Sequence, residues 1–305
     1  MSVVATNGPS VLRRLSADLA LLAIAALWGL TFPLGKIVLE TLTPFAYMAV
    51  RFSFSSLVLL PLMLRRTTPL VRRDWTASAL LGVVLFLGFA LQKIGLRITT
   101  ASKAGFITGL SVVMVPVIWA VWMRRVPHQR VTAGIAAATT GLALLTLNGA
   151  IAVNVGDLFV LACAVCFAMH IAIMGRLAPR LDAITLTTVQ VVVAAVLSLL
   201  AALIEGSLPS VATASASVWG MILFMAATGT LAALLVQAWA QRFTTPAHTG
   251  LMFAFEPVAA AIAAFFILGE VLVGRQAWGA ALIFIGIVIA ELNPDRAEIP
   301  VEVRR

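Results

Sequence analysis

The sequence predicts an all-α membrane protein with ten transmembrane helices in two inverted five-helix repeats, and three observations carry that expectation. Of 305 residues, 62% are hydrophobic and only 11% charged, against roughly 45–50% apolar and about 25% charged in an ordinary soluble domain. Such a chain has more apolar surface than a water-facing fold can bury and far too much to stay disordered, so its solvent is a lipid bilayer. The apolar residues fall into ten stretches near the ~20 residues that a helix needs to cross the hydrocarbon core. Sliding the chain against itself by 145 residues then lays the third to fifth stretches on the eighth to tenth.

Span one covers 18–39 behind the Arg13-Arg14 pair, and Asp18 interrupts the stretch that would serve as a signal-peptide core, so it reads as an uncleaved helix. Span two, 44–64, carries Arg51 and ends at Arg65-Arg66, and span three, 75–96, holds Gln92 and Lys93. Span four, 101–123, ends at Arg124-Arg125; its Gly105 and Gly109 make a small-residue face suited to close helix approach. Span five, 130–147, stops at Asn148-Gly149. Span six, 157–178, contains His170 with Cys163 and Cys166, a mid-helix pair that reads as small apolar filler rather than redox or zinc chemistry. Spans seven, 183–205, and eight, 218–241, bring Gln190 and Gln237; span nine, 246–268, has Glu256-Pro257 mid-way, and span ten, 276–291, closes the set. Trp75, Trp219 and Trp278 at span ends suit an interfacial belt. The connections are short turns that leave no room for a soluble domain.

Orientation follows from the basic residues. With the N-terminus inside, 15 of the 21 Lys+Arg fall in inner segments and four in outer ones, which places both tails, 1–17 and 292–305, in the cytoplasm. The net charge of +9 then has its cause in membrane orientation and gives no reason to expect nucleic acid as a partner.

The 145-residue offset pairs Gln92 with Gln237, Arg97 with Arg242, Thr99-Thr100 with Thr244-Thr245, Gly105 with Gly250, Gly134 with Gly279 and Gly141 with Gly286. A weaker offset of 139 pairs Asp18 with Asp157, Thr31 with His170 and Arg51 with Gln190. Residues 18–147 and 157–291 thus form two repeats. Five helices is an odd number, so the second repeat enters the membrane from the opposite side, a recurrent transporter design in which two similar halves exchange conformations.

The run Leu91-Gln92-Lys93-Ile94-Gly95-Leu96, followed by Thr99-Thr100-Ala101-Ser102-Lys103-Ala104-Gly105-Phe106 and Pro116, resembles the EamA-type drug/metabolite transporters. Trp28-Gly29, Arg51-Phe52, Glu256-Pro257 and Leu268-Gly269-Glu270 agree in order and spacing. The resemblance implies ten helices in two inverted repeats and export of small metabolites, often amino acids, across the bacterial inner membrane. Met123-Arg124-Arg125 departs from the Leu-Gly-Glu usual in the first repeat, which leaves Glu270 as a helix-end residue.

An ionisable group inside a span costs roughly 2.5–3.5 kcal/mol on insertion scales, so each one needs a partner or a cavity. Arg51 and Lys93 lie near enough the outer interface to snorkel, with contact to the substrate as the alternative. Glu256 has no such escape and is the candidate for coupling to protons, with an ion pair to Arg51 or Lys93 as the alternative. Gln92, Gln190 and Gln237 both donate and accept, which suits a zwitterionic ligand or bonding between helices; Thr31 and His170 lie near the middle of their helices as further site candidates, His170 reading as a packed histidine with a proton relay as the alternative. Trp28, Phe32, Phe89, Phe106, Phe167, Trp239 and Phe253 are candidates to line a pocket for an apolar side chain or to stack on a cation. Pro33, Pro116 and Pro257 each remove a backbone hydrogen bond and are expected to break their helices. The expectation is a secondary transporter for a small-molecule substrate, without cofactor or metal; monomer and homo-oligomer stay open. Neither a phosphate-binding G-x-x-x-x-G-K-[ST] nor an H-E-x-x-H occurs. Efflux of organic cations with Glu256 as counter-charge is the nearest rival, and a non-transporting membrane scaffold the next.

Overall fold

A computed structural model describes residues 11–65, 71–99, 101–124, 128–146, 154–268 and 274–291. The described residues fold into helices joined by short turns, with no strand among them. In order they are α1 (Val11–Thr41), α2 (Pro44–Leu64), α3 (Arg72–Ile98), α4 (Ala101–Gly109), α5 (Ser111–Met123), α6 (Gln129–Thr146) and α7 (Val155–Leu177). Then come α8 (Ala183–Glu205), the short α9 (Pro209–Ala212), α10 (Ala216–Ala226), a π-helical turn (Ala227–Ala232), α11 (Ala233–Ala240), α12 (Pro246–Phe253), α13 (Glu256–Leu268) and α14 (Gly274–Glu291). Seven helical runs among the described residues are long and apolar enough to cross a membrane, and the stretches expected as spans four and ten are the shorter apolar helices Ile107–Met123 and Ala277–Ile289. The chain is an all-helical, multi-pass membrane protein.

The helix ends follow local chemistry. Thr43 caps α2 by accepting from the Ala46 amide (3.3 Å), with Pro44 at the first helical position where no N–H is needed. Asn154 and Asp157 form a reciprocal capping box at the start of α7, and Asp182 and Thr245 cap α8 and α12. Gly206 ends α8 at φ +69°, the left-handed conformation that glycine adopts without strain. Lys36 donates to the carbonyls of Leu96 (2.8 Å) and Thr99 (3.2 Å), so a cation meets the C-terminus of α3.

Packing brings α3 against α7 and α8, α2 against α8, α1 against α13, and α6 against α14. Glycines set the closest of these approaches. A Cβ at Gly141 would strike the Gly279 carbonyl, and one at Gly286 would lie 2.5 Å from the Gly134 carbonyl. These contacts are each other's counterparts under the 145-residue offset, so α6 and α14 cross reciprocally. Gly109 likewise meets Leu142 and Pro257, but a Cβ at Gly105 would meet nothing within 4 Å, so the expected small-residue face reduces to Gly109.

Two helices are interrupted mid-way. The first break falls at Leu110 between α4 and α5, the second at Ala254-Phe255 between α12 and α13. Leu110 and Phe255 are 145 residues apart. Two of the proline expectations need correction here. Pro33 lies inside an unbroken α1, and Pro116 lies inside α5, six residues past the break. A proline removes one hydrogen bond, and packed neighbours tolerate that loss within a membrane helix. Pro257 alone adjoins a break, at the second position of α13. The Leu268-Gly269-Glu270 motif runs beyond the described residues.

Candidate functional site

The site grows from the π-helical turn. An extra residue per turn misaligns the backbone ladder and leaves carbonyls free for other donors. The Trp28 indole Nε1 donates to the Gly229 carbonyl at 2.7 Å, and the Thr31 hydroxyl donates to the Trp28 carbonyl at 2.7 Å, which fixes this face of α1 against the turn. Beside them opens a cavity. Its volume is about 60 Å³, several times the roughly 10–15 Å³ that one buried water needs.

Its walls come from α1 (Trp28, Thr31, Phe32), α3 (Leu85, Phe89, Gln92), the first break (Thr108, Gly109, Ser111), α7 (Phe167, His170, Ile171), α11 (Leu234, Gln237) and the second break (Phe253, Glu256). All but Leu85 and Gly109 form seven pairs at the two offsets. Trp28 with Phe167, Thr31 with His170 and Phe32 with Ile171 are 139 apart; Phe89 with Leu234, Gln92 with Gln237, Thr108 with Phe253 and Ser111 with Glu256 are 145 apart. The offsets found by sliding the sequence thus converge on one hollow.

Aromatic rings wall the cavity edge-on. Trp28 and Phe253 stand 4.9 Å apart at 65°, and Phe89 sits at 5.3 Å from both Phe167 and Phe52. The amides are ordered by their partners. Gln241 donates Nε2 to the Ile171 carbonyl (3.0 Å), so its Oε1 must accept from Gln237 Nε2 (3.1 Å), and Gln237 Oε1 is left without a partner. Gln92 accepts from Lys93 Nζ at 2.9 Å and reaches Thr108 only weakly at 3.5 Å. Glu256, half-buried at the first position of α13, makes no ion pair with Arg51 or Lys93.

Several expectations land elsewhere. Gln190 is fully buried behind the wall, where its Oε1 shares a 2.7 Å hydrogen bond with His170 Nε2. Trp239 lies off the cavity, edge-on to Phe243 at 5.4 Å. The Phe106 side chain falls outside the described residues. Arg51 and Lys93 do not snorkel: each is 1% exposed and turned into the bundle, Arg51 toward Thr230 and Tyr47, Lys93 toward Gln92. Sequence reasoning missed Thr108, Ser111, Thr230 and Tyr47. The signals available were the single tyrosine of the chain and a Thr228-Gly229-Thr230 cluster inside an apolar span.

Comparison with known proteins places this architecture. The profile of the EamA-like transporter family matches residues 15–147 and again 154–292. An uncharacterized transporter of Archaeoglobus fulgidus is 32% identical over 288 residues, 94% of this chain and 89% of its own length. The Bacillus subtilis uncharacterized transporters YyaM and YetK are 24% and 25% identical over 92% and 95% of this chain. A protein of known crystal structure superposes with a TM-score of 0.73 over 91% of this chain and 96% of its own at 19% identity, a likeness of fold alone.

Proposed function

The chain belongs to the EamA-like transporter family, and on that footing we propose that it is a secondary transporter exporting small metabolites, most of all amino acids and related compounds, across the bacterial inner membrane by alternating access. One observation carries the reading: seven offset-related pairs of side chains from the two halves line a single cavity on which both interrupted helices end. On this reading 18–147 and 157–291 are inverted repeats of five spans each, ten in all, and the reciprocal glycine crossing of α6 and α14 supports it. Both termini face the cytoplasm, as the 15 to 4 split of basic residues argues; a C-terminal fusion that reports from the periplasm overturns this.

Within the cavity, Trp28, Phe32, Phe89 and Phe253 hold the apolar part of the substrate, while Thr31, Gln92, His170 and Gln237 bond its polar atoms. Gln190 orients His170. Glu256 exchanges the coupling proton. Efflux of organic cations is the second reading, favoured by a carboxylate that lines the same cavity as the Trp28–Phe253 pair. Purified protein in proteoliposomes decides: amino-acid flux that rises with an imposed proton gradient is expected. No flux above empty vesicles refutes the amino-acid reading, and preference for quaternary amines selects the second.

A further inference from the structure

Two buried cations sit just outside the cavity. Arg51 donates Nε to Thr230 Oγ1 (2.7 Å) and Nη1 to the Tyr47 hydroxyl (2.8 Å), but its buried Nη2 has no partner. Lys93 has three N–H donors and gives one of them, to Gln92 Oε1. Among the described residues no carboxylate lies within ion-pair distance of either one. Aromatic rings take that place: Phe89 lies 5.0 Å from the Arg51 guanidinium and 5.9 Å from Lys93 Nζ, the Tyr47 ring lies 5.8 and 5.9 Å from the same groups, and the Phe32 ring lies 5.8 Å from Lys93 Nζ. A ring face attracts a cation more weakly than an oxyanion that accepts charge-assisted hydrogen bonds.

One layer of side chains separates these cations from the hollow. Phe89 and Gln92, which touch them, line the cavity. The unpartnered Nη2 faces Gly229, where a Cβ would come within 2.9 Å of it and 3.0 Å of the Thr31 methyl, and Thr31 is itself cavity wall. The bare glycine in the π-helical turn thus lets the guanidinium pack directly beside the cavity wall. Acceptors lie elsewhere in the cavity lining, as the unpartnered Gln237 Oε1 and the Glu256 carboxylate.

We propose that Arg51 and Lys93 form an anion subsite of the cavity, so that the transported compound carries a carboxylate or comparable oxyanion. Phe89 is the placeholder: its ring covers the cations when no anion is bound and turns aside when one enters. The inference rests on the transporter reading and narrows it, since a zwitterion fits the separation of donors from acceptors, whereas an amine without an acidic group leaves both cations unmatched.

The test uses the full chain in detergent, with thermal unfolding followed in rising sodium acetate or methylammonium chloride, sodium chloride holding ionic strength constant. Ligand that binds the folded state raises Tm saturably. Acetate is expected to do so and methylammonium is not; because chloride is the balancing salt, a site for any small anion shows no acetate-specific rise. Arg51→Met and Lys93→Met should each weaken acetate at least about tenfold through lost charge-assisted bonds. Phe89→Leu removes the competing ring and should tighten acetate severalfold, a direction no folding defect imitates. The proposal is overturned by the absence of a saturable acetate effect in the wild type, by an equal effect of methylammonium, or by unchanged affinity in folded Met variants. Amino-acid counterflow in proteoliposomes is read separately: acetate binding without exchange refutes the amino-acid reading and leaves the subsite standing.

Discussion

Replacing Trp28 by Phe isolates the bond that ties α1 to the π-helical turn. The indole Nε1 lies 2.7 Å from the carbonyl of Gly229, itself buried, and a phenyl ring has no donor to offer. Leaving a buried acceptor unpaired costs about 1–3 kcal/mol. The edge-on contact with Phe253 is retained by the smaller ring, so the loss falls chiefly on the hydrogen bond. A second consequence concerns transport. Without the indole the turn at Ala227–Ala232 can relax toward regular α geometry, which moves Thr230 Oγ1 away from Arg51 Nε, now 2.7 Å distant. Thermal unfolding in detergent should therefore register a loss of about 1–3 kcal/mol, and substrate flux, measured well below the unfolding temperature, should fall by more than that loss accounts for. Trp239→Phe is the control, since that ring sits off the cavity against Phe243. Equal effects of the two substitutions, or wild-type stability and flux in Trp28→Phe, would refute the reasoning.

Glu256→Gln keeps shape and hydrogen bonding but removes the exchangeable charge, so proton-driven accumulation should be lost while substrate counterflow persists; unchanged accumulation removes Glu256 from coupling. Gln237→Leu deletes the unpartnered acceptor, and Gln92→Leu deletes the acceptor of Lys93. Each should lower flux about tenfold, the equivalent of ~1.4 kcal/mol, with insertion and expression nearly intact. Gly141→Ala and Gly286→Ala press a methyl group on the facing helix backbone and should each cost about 1–3 kcal/mol in thermal unfolding. Because both act on one crossing, the double variant should cost less than the sum. Gly105→Ala, facing open space, should be neutral or stabilising by about 0.4–1 kcal/mol.

What the sequence made legible was what the bilayer enforces. Long apolar runs have no alternative to helix in lipid, and the offset pairs Gln92 with Gln237 and Thr31 with His170 do line one cavity. Depth was readable, but facing was not. Arg51 and Lys93 lie where snorkelling is feasible by position, yet their partners decide otherwise, and those partners include Thr230 on a helix 179 residues away and Tyr47 one turn earlier. Helix breaks were misplaced for a related reason. Proline marks a missing donor, whereas the Leu110 interruption arises without any proline at the break. The π-helical turn shows in the sequence only as the Thr228-Gly229-Thr230 cluster, and its anchor is a tryptophan two hundred positions upstream.

The offset pairs differ in chemistry more than in place, and this bears on how such a cavity works. Ser111 answers to Glu256, Thr31 to His170, Arg51 to Gln190 and Lys93 to Ala238. The π-helical turn has as its counterpart residues 82–87, which are regular helix within α3. On the proposed reading, two matching halves would give two conformations of similar energy, as alternating access requires. Side chains that matched as well would leave the cavity without electrical polarity. Here both buried cations come from the first half, and the carboxylate and the unpartnered amide oxygen come from the second. On the proposed reading, a substrate with opposite charges at its two ends binds in one orientation, with each half of the protein holding one end of it. Movement of one half against the other would then act directly on the bound compound, because neither half alone would complete the site.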